Sequence, residues 1–198
     1  MYCRPLGTLD GEVHLRVDSS VVPVVTPARK IPIAICTRLH EELDRLCKLG
    51  VITPIEEPTP WVNQIVVAQK KSGDLRICLD RRNWRKHYYV KDSSFQFWMM
   101  FCMNLGQSRI FTKANLSSSY WHVQLDLGCS MLTTFQTCFG RYCFCLLPFG
   151  LSISSEIFQQ KLLEALTGLT NVVCIADDVI IHAKDTEQHD EYLHKHRH

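Results

Sequence analysis

Three features of this 198-residue sequence predict an α+β fold. Apolar residues recur at helical spacing in two separate stretches, Leu39, Leu43, Leu46 and Cys47 in one and Phe158, Leu162 and Ala165 in the other. Short β-rich runs closed by turn residues lie between them. Two apolar runs, 171–176 and 179–183, flank the adjacent Asp177 and Asp178, the pattern of a strand hairpin with carboxylates at its turn.

Composition narrows the class further. A hydrophobic fraction of 46% against 21% charged residues is that of a folded chain, which excludes wholesale disorder. Lys+Arg 22 against Asp+Glu 20 leaves a net charge of +2, so a nucleic-acid surface would have to come from local basic clusters. The 10 cysteines are scattered from Cys3 to Cys174 with no Cys-x-x-Cys pair and read as reduced, mostly buried thiols. Cys138, Cys143 and Cys145 with a nearby His match no common zinc spacing, and core packing is the favoured reading for them. With no basic-plus-apolar leader and no apolar run of about 18 residues, an intracellular protein is expected, in cytoplasm or nucleus, with no membrane partner.

Along the chain, Pro23, Pro27 and Pro32 among valines suit an extended arm over residues 1–36. Thr37 is expected to cap the first helix and Gly50 to close it. Pro54, Pro58 and Pro60 mark a loop, after which runs 64–69 and 75–79 form a hairpin around Lys70-Lys71-Ser72-Gly73-Asp74. Residues 82–107 show no clean period. Strand-like runs follow at 109–114, 120–125, 133–139 and 141–147, with a tight connection at Gly140. A helix over 155–166 stops at Gly168, the Asp177-Asp178 hairpin follows, and a tail helix starts near Asp185. The tail histidines His189, His194, His196 and His198 read as a solvated helix end, with adventitious metal binding as the alternative.

Adjacent aspartates repel each other unless a cation or solvent relieves them. In most proteins such a pair is an exposed turn. Here apolar strands on both sides give the carboxylates a rigid support, which is what a two-metal phosphoryl-transfer centre requires.

At this point a family resemblance emerges. Ile175-Ala176-Asp177-Asp178 resembles the Tyr/Val-x-Asp-Asp signature of reverse transcriptases, and Leu147-Pro148-Phe149-Gly150-Leu151 resembles a block of the gypsy-type enzymes. Leu43-Asp44-Arg45-Leu46, Leu49-Gly50-Val51-Ile52 and Pro60-Trp61-Val62 resemble the entry to the fingers of that family, and the stretch from Lys70 to Asp80 its fingers hairpin. These blocks keep family order along nearly the whole chain. The resemblance implies a right-hand polymerase fold: a fingers-like region over 37–107, and a palm-like region over 108–198 with an antiparallel sheet and packed helices. It also implies that the sequence stops before the primer grip and thumb.

The resemblance assigns roles residue by residue. Asp177 and Asp178 would hold two Mg²⁺ or Mn²⁺ ions, while Lys71, or Lys70 beside it, and Arg76 would contact the triphosphate of the incoming dNTP. Without the surrounding blocks, those cations read as a solvated turn. Tyr120 would lie under the nucleotide sugar and Phe149 near the base or template, with core packing the alternative for both. RNA or DNA primer–template is the implied partner, and exposed palm surface suggests a homo-oligomer or a polyprotein context.

The sequence departs from the family at one site residue. Where the family reads Phe-Ser-x-Leu/x-Asp-x-x-Ser-Gly-Tyr-Trp, this chain runs from Phe111 to Trp121 with Asn115 at the third catalytic carboxylate position and Ser119 in place of glycine. An amide oxygen can ligate a hard cation but carries no net charge, so metal binding and catalysis are expected to be impaired. The competing readings are a co-opted nucleic-acid or protein-binding module and an element relic without function. Ribonuclease H activity is disfavoured, since after Asp178 only Asp185, Glu187, Asp190 and Glu191 remain, in a tail too short to build that domain's own carboxylate site.

Overall fold

The computed structural model describes residues 7–15, 20, 22–80, 82, 106, 108–175 and 178–195. They fall into two compact units, one drawn from Met1–Tyr88 with Tyr120–Ser154 and the other from Tyr89–Ser119 with Ser155–His198. The irregular stretch 83–105 lies outside the described residues.

In the first unit, α1 (Ile33–Lys48) buries Leu39, Leu43 and Leu46, the stripe that its sequence spacing predicts. It starts a turn earlier than expected. Pro32 occupies the N-cap with φ −58° and no side-chain cap bond, and its carbonyl accepts the Ile35 N–H at 3.0 Å. The pyrrolidine ring fixes φ at the helix entry, and Thr37 lies inside the helix. Gly50 (φ +68°) ends it, its N–H bonding the Cys47 carbonyl at 3.0 Å.

Strands β1 (Ile52–Pro54), β5 (Phe135–Thr137) and β6 (Gly140–Phe144) form a sheet in the order β1-β6-β5. Phe135 and Phe144 pack at its centre with ring centroids 5.2 Å apart. Strands β2 (Ile65–Gln69) and β3 (Leu75–Leu79) form the expected hairpin, in register from Ile65↔Leu79 to Gln69↔Leu75. Lys70 N–H donates to the Asp74 carbonyl at 2.8 Å and Gly73 N–H to the Lys70 carbonyl at 2.9 Å, closing the turn. On β3, Leu75, Ile77 and Leu79 are buried while Arg76 is exposed, the period-2 alternation of a one-sided strand.

One expected strand is replaced by other structure and a second is shortened. Residues 119–122 form a 3-10 turn, and the chain beyond them makes only isolated bridges such as Val13↔Leu125 and Gln124↔Leu146. Trp121, Val123 and Leu125 are buried at alternate positions, so the alternation marks burial without a ladder. A short helix, α2 (Leu127–Leu132), capped by Asp126 accepting the Cys129 N–H at 2.8 Å, precedes β5, which is shorter than the run expected at 133–139.

The second unit carries an antiparallel sheet of β4 (Ile110–Asn115), β8 (Asp178–Ala183) and β7 (Val172–Ile175), with β8 central. Helix α4 (Thr186–Lys195) packs on β8 and β4, and Asp185 accepts the Gln188 N–H at 2.9 Å at its start. Helix α3 (Ser154–Ala165) buries Phe158 and Leu162, whereas Ala165, the third residue of the expected stripe, is exposed in the last turn. Among the described residues no helix is long and apolar enough to cross a membrane.

Candidate active site

The β4–β8 ladder decides which side chains meet at the carboxylate hairpin. Its register ends on Asn115↔Asp178, while Ile175↔Asp178 closes the β7–β8 side. Asp178 is therefore the first residue of the central strand, held between two neighbours. Asn115 Nδ2 donates to Asp178 Oδ1 at 3.1 Å, so the residue at the expected third carboxylate position does sit beside the signature aspartate. Asp177 lies outside the described residues.

A second contact was not expected from the sequence. Lys113 Nζ sits 2.6 Å from Asp178 Oδ2. Lys113 and Asn115 are two residues apart on one strand, so both project from the same face toward the same carboxylate. The Lys113 ammonium, aided by the Asn115 amide, holds the Asp178 carboxyl below the usual carboxylate range. The i, i+2 spacing of a lysine before the third catalytic position was the available signal, legible only once Asp178 is known to pair with that strand.

Of the expected donor set, the structure describes Asp178 and Asn115. Both oxygens of Asp178 are engaged by donors of β4, one of them already charge-neutralised by Lys113, and Asn115 offers a neutral amide where a second charge is needed.

The remaining expected site residues lie in the first unit. Lys70 and Lys71 are exposed at the tip of the β2–β3 hairpin. Arg76, just past that turn, lays its guanidinium over the Phe149 ring at 4.6 Å from the centroid. Tyr120 meets the same ring at 4.8 Å, tilted by 41°, and Trp121 meets it edge-on at 5.8 Å. Phe149 is thus the hub of a small basic-aromatic cluster that joins Arg76 to Tyr120.

The loop carrying Phe149 is fixed by backbone. Leu79 N–H donates to the Phe149 carbonyl at 2.8 Å. Gly150 follows with φ +101°, and a Cβ there would stand 2.1 Å from the Leu79 carbonyl oxygen, so only glycine permits this approach. A pocket of about 360 Å³ opens beside the loop, lined by Val66, Cys78, Asp80, Gly150 and Ser152 among others. Arg82, through its hydrogen bonds, holds the Asp80 carboxyl below its usual range, with Arg29 adding a contact at 3.7 Å.

Of the three cysteines considered for zinc, Cys143 and Cys145 hydrogen-bond each other while Cys138 does not complete a three-ligand group with them among the described residues. Cys143 is buried on β6, Cys145 is half-buried and Cys138 is exposed, and the described residues place no metal-ligand group there.

Comparison with known proteins gives these residues a family context. The family described as "Reverse transcriptase (RNA-dependent DNA polymerase)" matches residues 64–198. An uncharacterised protein of Caenorhabditis elegans, K02A2.6, is 29% identical over 92% of this chain and 14% of its own length. The retrovirus-related Pol polyprotein from transposon gypsy of Drosophila melanogaster is 28% identical over 86% of this chain and 17% of its own length. The Tf2-7 transposon polyprotein of Schizosaccharomyces pombe is 25% identical over 96% and 14% respectively. The chain thus spans a small part of these curated relatives. In fold it resembles the foamy viral protease-reverse transcriptase dRH solved with double-stranded DNA, at a TM-score of 0.81 and 20% identity, covering 96% of this chain and 33% of that one. The foamy viral protein solved with an RNA/DNA hybrid gives a TM-score of 0.79 at 19% identity, covering 96% and 25%.

Proposed function

Since the chain belongs to the reverse transcriptase (RNA-dependent DNA polymerase) family, we propose that it supplies fingers and palm elements of a retrotransposon polymerase whose carboxylate centre is one acidic residue short. The pairing of Asn115 with Asp178 across β4 and β8 carries this reading. In the family's chemistry, Mg²⁺ or Mn²⁺ ions neutralise charge on the transferring phosphoryl group. Here Asp178 is instead met by the Lys113 ammonium and the Asn115 amide. That arrangement sets an ammonium and a neutral amide beside Asp178 where two ions would require further negative charge.

The substrate contacts follow from the basic-aromatic cluster. Lys70 and Lys71 on the exposed hairpin tip and Arg76 beside it meet phosphate, of the dNTP or of primer–template. The contact with the Phe149 ring positions the Arg76 guanidinium, whose N–H groups donate to phosphate. Tyr120 lies under the sugar of the nucleotide, and Phe149 packs against base or template. A second reading, a module that binds nucleic acid without extending it, is favoured by the same Lys113–Asp178 ion pair, which occupies the carboxylate. Residence in the cytoplasm or nucleus suits either reading.

Fluorescence anisotropy with labelled RNA/DNA primer–template tests the contact surface. Each phosphate contact contributes roughly 0.7–0.9 to the slope of log K against log salt, so a Lys70→Ala/Lys71→Ala/Arg76→Ala variant is expected to lower that slope by about 2–3. An affinity insensitive to salt, or a slope unchanged in the variant, would place the nucleic acid elsewhere.

A further inference from the structure

Residues 13–15 run alongside the segment that leads into α2. Val13 N–H donates to the Gln124 carbonyl at 2.8 Å and Asp126 N–H returns to the Val13 carbonyl at 3.3 Å, within a parallel bridge between Val13 and Leu125. This pairing sets His14 over the first turn of α2, where Asp126 and Cys129 stand three residues apart.

Three potential ligand atoms converge there. His14 Nδ1 is 2.7 Å from Asp126 Oδ2, Cys129 Sγ is 3.3 Å from the same oxygen, and Sγ lies 3.9 Å from His14 Nδ1. A nucleophilic Cys–His–Asp relay would use the two different ring nitrogens of the histidine, one toward each partner. Here one nitrogen faces both the sulfur and the carboxylate, and Cys129 is only 1% exposed, which closes it to a substrate. The arrangement is that of donors around a single point. The sulfur also accepts the Leu15 N–H at 2.9 Å, the kind of outer hydrogen bond that supports a metal-bound thiolate.

We propose that His14, Asp126 and Cys129 form a three-ligand site for a divalent cation of the zinc class, completed by water on the solvent side, where His14 is exposed. One imidazole, one carboxylate and one thiolate select Zn²⁺ over Mg²⁺ or Ca²⁺, and the two anionic ligands balance its charge. With bonds of about 2.0–2.3 Å, tetrahedral donors stand roughly 3.3–3.7 Å apart. The observed separations of 2.7, 3.3 and 3.9 Å reach that arrangement by shifts of several tenths of an ångström, which the exposed His14 ring can supply. Binding displaces the thiol proton, so affinity falls with falling pH. Burial pushes the Cys129 thiol up to about 11, so that proton is present near neutral pH. The site clips residues 13–15 to the start of α2, and its effect is structural.

The test uses the full chain stripped with chelator, then dialysed against low-micromolar Zn²⁺, with metal content read by mass spectrometry and Cd²⁺–thiolate charge-transfer absorption as the ligand signature. One ion per chain is expected, with a thiolate band and a higher melting temperature in Zn²⁺. His14→Ala alters an exposed side chain, so the fold survives, and it should weaken binding at least about tenfold. Cys129→Ser should abolish the thiolate band, whereas His194→Ala in the tail helix should leave binding unchanged. Failure of the original chain to retain zinc overturns the proposal. So does unchanged affinity in His14→Ala, which would assign the metal to other histidines or cysteines.

Discussion

Replacing Gly150 with alanine tests whether the loop carrying Phe149 is held against β3 as closely as the structure shows. Two costs add. At φ +101° a residue with a Cβ sits in a sparsely populated backbone region, a strain of about 1–3 kcal/mol. The added carbon would also stand 2.1 Å from the Leu79 carbonyl oxygen and 2.9 Å from its nitrogen, both backbone atoms that cannot rotate away. Loop and strand must separate, giving up the Leu79 N–H bond to the Phe149 carbonyl, worth about 1 kcal/mol net. A total of roughly 2–4 kcal/mol is expected. Gly50→Ala is the control, because Gly50 also has positive φ, +68°, but nothing within 4 Å of a Cβ; it should cost only about 1–2 kcal/mol. Urea unfolding midpoints of the three proteins measure the difference. Equal destabilisation by the two substitutions would show that the close approach at Leu79 does not exist, and with it would go the support that aims Phe149 at Arg76 and Tyr120.

Three other outcomes are expected. Lys113→Met should let the Asp178 carboxyl rise toward its ordinary range, read by carboxyl ¹³C NMR titration; an unmoved titration would contradict the 2.6 Å ion pair. Asp126→Ala, measured in chelator, removes the cap of α2 and should lower stability by about 0.5–2 kcal/mol, and a neutral result would mean the bond to Cys129 N–H is not made. Asp80 has a folded-state pKa below its unfolded value, chiefly through Arg82, so its contribution is complete above the ordinary carboxylate range and is lost as pH falls through the lowered value. Asp80→Asn should therefore flatten part of the acid limb of the stability–pH curve, and an identical limb would remove Asp80 as its source.

The elements legible in the sequence are those whose period outlasts local noise. Leu39, Leu43 and Leu46 repeat through a 16-residue helix, and the β2–β3 hairpin carries its own turn chemistry at Lys70 to Asp74, so both elements were legible, the hairpin close to its observed bounds. The β7–β8 hairpin was equally plain because two apolar runs bracket the aspartates. By contrast, α2 has six residues, fewer than two turns, and its only strong signal is the Asp126 cap. Trp121, Val123 and Leu125 alternate as strand residues do, yet their backbone bonds go to isolated partners, which side-chain pattern alone does not reveal. At the site, Asn115 was found by its place in a motif. Lys113 was missed because its partner is 65 residues away, and only the register of β4 on β8 brings the two together.

The central claim, that Asn115 leaves this reverse transcriptase centre one carboxylate short, is tested most directly by primer extension on poly(rA)–oligo(dT) with Mg²⁺ or Mn²⁺. The chain should be joined to the downstream polymerase segment of a gypsy-type relative, since it spans only 17% of the gypsy polyprotein. Original and Asn115→Asp versions are compared in that same context. The expected result is extension by the Asn115→Asp protein that exceeds the original by about 10²-fold or more, the usual scale for a key electrostatic group. Equal rates from the two proteins would contradict the claim.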